Sequence, residues 1–146
     1  MKFNKLLSFV FLFLVLATAS ADETWMTDFN AALAKAKAEK KPLLVDFTGS
    51  DWCGWCIKLD KEVFSKDAFK TFANTELVLV EIDFPNRKKQ SKALKAQNKE
   101  LAKKYGIRGF PTILLFSPDG EVIGKTGYQA GGPEAYVKHL RELLGK

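Results

Sequence analysis

Val45-Asp46-Phe47-Thr48-Gly49-Ser50-Asp51-Trp52-Cys53-Gly54-Trp55-Cys56, residues 45–56, contains both cysteines of the chain. Leu43 to Phe47 is a short apolar run and reads as a buried strand. Thr48-Gly49-Ser50-Asp51 is turn chemistry. A helix is expected from near Cys53, through Lys58, Leu59 and Val63, towards Phe72. A Cys-x-x-Cys pair that follows a strand and opens a helix is a redox arrangement with a physical reason. The helix N-terminus presents unpaired N–H groups and a partial positive charge, and both favour a thiolate over a thiol. In such motifs the thiol pKa falls from about 8.5 to about 7 or lower. Cys53, at the helix tip, is then the nucleophile. Cys56, one turn on, attacks the mixed disulfide and releases the product.

Other uses of the pair remain open. A bridge closing so short a loop constrains the unfolded chain little, which weakens a purely structural role. Structural zinc takes about four ligands, and the single histidine, His139, lies far along the chain and reads as an ordinary surface residue of the last helix. No metal and no organic cofactor is expected. A stable bridge in a non-catalytic binding module is the alternative from a different functional class.

The remaining sequence sets the context. The chain has 146 residues, 47% hydrophobic and 12% aromatic, a composition that suits one folded domain. Residues 1–21 read MKFNKLLSFVFLFLVLATASA: two early lysines, an apolar run from Phe9 to Ala17, and small residues Ala19-Ser20-Ala21. That is the layout of a cleaved secretory signal, and the run is shorter than the about 20 residues a membrane span takes. The mature domain is expected over residues 22–146, in a periplasm or the extracellular space, where disulfides persist.

Net charge is +6 over the whole chain. Between Asn86 and Lys104 stand eight basic residues against one acid, Glu100, so the rest of the mature chain is slightly acidic. This segment reads as a helix with Leu94, Leu101 and Tyr105 turned inward. Its charge is that of a solvated face, or of a docking patch for an acidic partner. An exported chain without a nucleic-acid motif is not expected to bind nucleic acid.

Around the motif the order of elements is α, β, α, β, α, β, β, α. Trp25, Phe29, Leu33 and Ala36 share helical spacing, with Pro42 ending that helix. Leu77 to Ile82 is a second strand. Thr112 to Phe116 and Glu121 to Lys125 form a hairpin about Ser117-Pro118-Asp119-Gly120. Gly131-Gly132-Pro133 opens a last helix with Tyr136, Val137, Leu140 and Leu144 on one face. Helices between the early strands imply parallel crossovers, and the hairpin adds an antiparallel edge. The expected fold class is a three-layer α/β/α sandwich.

At two places the sequence resembles the thioredoxin superfamily. Val45-Asp46-Phe47 followed by Trp52-Cys53-Gly54-Trp55-Cys56 is similar to its strand and active-site turn. Gly106-Ile107-Arg108-Gly109-Phe110-Pro111-Thr112 is similar to its cis-proline segment. The resemblance is nearest to exported thioredoxin-like proteins akin to the C-terminal domain of bacterial thiol:disulfide interchange proteins. It implies the thioredoxin fold, with a central mixed sheet and a C-terminal hairpin plus helix. It also implies thiol:disulfide oxidoreductase activity; the direction does not carry over with it, and only the thioredoxin-like framing by Trp52 and Gly54 favours reduction of protein disulfides, with oxidase or isomerase as the alternative. By resemblance Cys53 attacks, Cys56 resolves, and Asp46 is a buried carboxylate that moves a proton for Cys56. Trp52, Gly54, Trp55, Phe110 and Pro111 meet the substrate, with Pro111 cis and the Phe110 backbone pairing with an extended polypeptide. The partners implied are disulfide-bearing proteins and an upstream dithiol donor in the membrane, with the chain itself a monomer. The sequence departs from the family pattern at Trp55, where a proline is usual. It also lacks a lysine opposite Asp46, where the second strand offers Leu79 to Glu81, and its loop from Asp46 to Cys53 is one residue longer.

Overall fold

The computed structural model describes residues 25–146. The export signal assigned to residues 1–21 and the start of the mature domain at residue 22 lie outside the described residues. Helix α1 spans Phe29–Glu39, strand β1 Leu43–Thr48, helix α2 Gly54–Leu59 and helix α3 Asp67–Glu76. Strand β2 comes next at Val78–Asp83, then helix α4 at Lys92–Lys104, strands β3 and β4 at Thr112–Phe116 and Val122–Thr126, and helix α5 at Gly132–Leu143.

The sheet order is β2-β1-β3-β4. β1 and β2 are parallel, while β3 runs antiparallel to both β1 and β4. Met26 adds an isolated parallel bridge to Val80 on the outer edge. This is the expected mixed sheet, and side-chain alternation divides it into two faces. Leu43, Val45 and Phe47 point towards α1 and α4, in one core with Val80, Ile82 and Phe116. Leu44 joins the other core, with Phe64, Phe69, Tyr136 and Leu140 beneath α3 and α5. Asp46 stands two residues beyond Leu44, so the same alternation turns it to this second face. Among the described residues no helix is long and apolar enough to cross a membrane.

Three expectations are corrected. First, α1 is stopped before Pro42. Its N-cap Asp28 accepts the Ala31 N–H at 2.9 Å, and it closes at Lys40 in the left-handed region, φ 54°, whose N–H returns to the Ala36 carbonyl. Trp25 lies ahead of the helix and packs on Phe64 with ring centroids 5.2 Å apart. Second, the single helix expected from Cys53 to Phe72 is broken. α2 passes into a π-helical turn at Asp60–Phe64, and Ser65 and Lys66 separate that turn from α3. The extra residue of a π turn rotates the chain beyond it, and here both Val63 and Phe64 become buried. Third, the basic stretch is helical only from Lys92, where Ser91 caps the helix by accepting the Leu94 N–H. Residues 84–91 form a loop instead. The Asp51 carboxylate holds it by accepting the N–H groups of Asn86, Arg87 and Lys88 at 2.7–2.9 Å. The inward stripe of α4 includes a polar residue, Asn98, whose amide donates to the Asp83 carbonyl at 2.8 Å.

Candidate active site

Cys53 and Cys56 are joined in a disulfide at the start of α2, with Cα atoms 5.2 Å apart. Cys53 is the N-cap: its Sγ accepts the Cys56 backbone N–H at 3.3 Å, and its own N–H donates to the Gly49 carbonyl at 2.8 Å. The turn therefore aims an unpaired helix-end donor at the leading sulfur, the placement that favours a thiolate there. Both cysteines are nearly buried, at 7% and 5% exposure, so they differ little in accessibility. Gly54 beside them is exposed, and a Cβ there would touch nothing.

Two tryptophans flank the disulfide and are largely exposed, Trp52 at 45% and Trp55 at 57%. Trp52 is fixed in place. Its indole Nε1 donates to the Phe84 carbonyl at 2.7 Å, and its ring meets Phe110 edge-on at 6.0 Å. Phe110 in turn packs on Phe84 at 5.1 Å and leads into Pro111 through a cis peptide bond. Gly127 passes close to this turn, where a Cβ would come within 3.2 Å of the Pro111 carbonyl. Gly49 lies against the Trp52 ring, and a Cβ there would stand 2.5–2.7 Å from the indole atoms. Gly49→Ala is therefore expected to push the indole off its hydrogen bond. Overpacking of this kind costs about 1–3 kcal/mol. A lowered Tm together with a shifted tryptophan emission spectrum would report it.

Trp55 forms a second ledge with Tyr128, at a centroid distance of 5.1 Å. The Lys58 ammonium sits 5.1 Å from the Trp55 ring and 5.2 Å from that of Tyr128, and the Tyr128 hydroxyl donates to Glu62 at 2.7 Å. The tryptophan that replaces the usual proline is thus supported from a distant loop. Sequence reasoning missed Tyr128, because nothing local ties it to residue 55.

Behind the disulfide lies a cleft of about 240 Å³. Cys56, Asp46, Asp60, Glu81, Ser50 and Lys88 are among the residues lining it. The longer loop does not keep Asp46 from the Cys56 side of the site. Asp46 is 7% exposed, and its Oδ1 has no hydrogen-bond partner. Burial holds its carboxyl well above the usual range, and the negative charges of Glu81, Asp60 and Asp83 add to this. Glu81 is register partner to Asp46 across the parallel β1–β2 pair, and it too is raised, first by burial and then by Asp83. β2 supplies no lysine beside Asp46, and the cation of the cleft comes from elsewhere. Lys88, on the 84–91 loop, lines the same cleft and donates to the Ser50 hydroxyl at 3.0 Å, which in turn donates to Asp83. Among the described residues no group of three or more His, Cys, Asp or Glu is placed to hold a metal ion. His139 is half-buried rather than a free surface residue, and its Nε2 is 2.8 Å from the Thr126 hydroxyl.

The fold thus brings Trp52, Cys53, Gly54, Trp55 and Cys56 together with Phe110 and Pro111 at one end of the sheet, and places Asp46 behind them. Residues 29–144 match the family described as Thioredoxin-like domain. The chain is 36% identical over 126 residues to the disulfide bond reductase DsbH of Chlamydia pneumoniae, covering 86% of this chain and 75% of that protein. It is 31% identical over 110 residues to the thiol:disulfide interchange protein DsbD 2 of Pseudomonas aeruginosa, covering 71% of this chain but only 17% of that much longer protein. Among solved structures, a DsbH oxidoreductase superposes with a TM-score of 0.81 at 32% identity, over 99% of this chain and 95% of its own.

Proposed function

The chain belongs to the thioredoxin-like family and is a Cys-x-x-Cys thiol–disulfide oxidoreductase related to DsbH, and from that premise we propose that it reduces disulfides in exported proteins. The observation that carries thiol–disulfide exchange is the placement of Cys53 as N-cap, its sulfur already accepting the Cys56 N–H; the reducing direction is supported by the relation to the disulfide bond reductase DsbH. In the reduced protein that donor stabilises the Cys53 thiolate. The thiolate displaces one sulfur of the substrate disulfide, forming a mixed disulfide and releasing the other sulfur as a thiolate. Cys56 gives up its proton and attacks the Cys53 sulfur, freeing the second substrate thiolate and closing the Cys53–Cys56 bridge. Two electrons pass to the substrate, and the released thiolates take up protons. Asp46 is the acceptor for the Cys56 proton, with Glu81 and Lys88 at the same cleft.

Trp52, Gly54, Trp55, Phe110 and Pro111 form the face that meets an extended polypeptide. The Phe110 backbone supplies main-chain pairing in the manner of strand addition. The mature domain begins at residue 22 and acts as a monomer in the periplasm or beyond it. There it regains electrons from a dithiol donor, and membrane-held interchange proteins of the DsbD type are the fitting class. Equilibration of the Cys53–Cys56 couple with glutathione tests the direction. A reduction potential near about −270 mV is expected for a reductant. A value near about −120 mV would overturn the reading in favour of a disulfide donor.

A further inference from the structure

A groove of about 370 Å³ runs from Trp52 past Phe84 and Pro85 to Lys95 and Lys99 on α4. Its apolar end is continuous with the redox face. Trp52 belongs to both, and Phe84 packs on Phe110 next to Pro111. Its far end is cationic, and among the described residues no Asp or Glu lines it. Lys95 and Lys99 are four residues apart and share one helix face. Among the described residues neither is in a salt bridge. Glu100, the acid of this segment, lines a different cleft beside Phe29 and Leu101. Gln97 is likewise turned to α1, where it bonds the Phe29 N–H and the Thr27 carbonyl. Helix geometry therefore turns the segment's one acid away from the groove and leaves the Lys95 and Lys99 ammonium groups beside its aromatic end, with Asn86, Gln90 and Asn98 as the neutral polar lining.

We propose that this groove selects among substrates: it receives the segment flanking the target cysteine and favours one with an apolar residue followed by Asp or Glu. The inference rests on the reductase reading and names the substrate class for it. The apolar side chain covers the exposed indole of Trp52 and the ring of Phe84. The carboxylate lies against Lys95 and Lys99. Trp52 and Phe84 both touch Phe110, so a single extended polypeptide can reach from Pro111 into the groove.

The test uses two short peptides, each carrying one cysteine as a mixed disulfide with glutathione. One has Leu-Glu-Asp flanking the cysteine and its twin has Leu-Lys-Lys, and reduced protein is mixed with each at low salt. Two screened surface pairs predict a preference of roughly threefold to tenfold for the acidic peptide in kcat/KM. High salt, with a Debye length of about 3 Å at 1 M, should remove it. Lys95→Gln with Lys99→Gln should abolish the preference, and K95E with K99E should invert it. Lys125→Glu, on the far strand β4, should preserve it. Because the readout is a ratio within one protein sample, a change in overall activity does not disguise the result. Equal rates on the two peptides, or a preference that survives K95E with K99E, would overturn the inference alone. Failure to reduce either peptide, or glutathione disulfide, would overturn the reductase reading and the inference with it.

Discussion

Cys53→Ser leaves a protein that no longer reduces insulin, its rate at least about a thousandfold below that of the parent. The size of the loss comes from chemistry rather than packing. A serine hydroxyl at this position is almost wholly protonated near neutral pH, whereas the thiol has the helix-end donor of Cys56 to hold its anion. Cys56→Ser has a different signature. The first displacement still occurs, but nothing resolves the product, so mixed disulfides with Cys53 accumulate and are seen on non-reducing gels. Both substitutions are nearly isosteric, and the rest of the site should keep its shape. Retained insulin reduction by C53S, or the absence of trapped adducts with C56S, would remove the assignment of attacking and resolving sulfurs.

Asp46→Asn is expected to separate stability from catalysis, with opposite signs. The folded protein holds the Asp46 proton to higher pH than the unfolded chain does, because burial and the neighbouring carboxylates disfavour the anion. The stability associated with this group is therefore intact below about pH 4, the unfolded carboxylate range, and is lost as pH rises through the folded value. Asparagine carries no charge at any of these pH values. D46N should match the parent in acid and exceed it at pH 8, with Tm higher by about 4 °C for each 1 kcal/mol of relief. The resolving step should suffer, since the acceptor for the Cys56 proton is gone. Positioned acid–base groups commonly contribute about a hundredfold or more. Stopped-flow mixing should show the first displacement at its normal rate and a slow second phase. A variant as fast as the parent in both phases would exclude Asp46 from proton transfer, while a pH-independent Tm difference would contradict the buried-carboxylate account.

The parts of this fold that are legible in the sequence are those that local rules govern. Thr112 to Phe116 is readable as a short apolar run, buried at every position, Ser117 to Gly120 from its turn residues and the helix after Gly131 from helical spacing, and the Cys-x-x-Cys pair is readable from its strand–turn–helix setting. The departures share a cause. The lysine-rich stretch after Pro85 has helical composition, yet residues 86–88 give their N–H groups to Asp51, a partner some 35 residues earlier. The π turn at Asp60–Phe64 is set by the need to bury both Val63 and Phe64 beneath α5, which periodicity within the helix does not reveal. Glu81 reads in the sequence only as a missing lysine. Its meaning lies in the register that sets it beside Asp46 and in Lys88 arriving on a loop. Tyr128 is invisible for the same reason. A site assembled from four separate segments is written in the sequence one segment at a time.

The bond from the Cys56 N–H to the Cys53 sulfur is already made in the oxidised protein. The donor that a thiolate at Cys53 needs is therefore in position before any electron arrives. Reduction asks little reorganisation of the backbone, and the two redox forms should present nearly the same contour to the outside. What differs between them at the surface is one negative charge at one sulfur. An upstream dithiol donor and a substrate disulfide then meet the same contour, and what selects between them is whether a bridge or a thiolate stands at Cys53, each partner leaving when its mixed disulfide is cleaved.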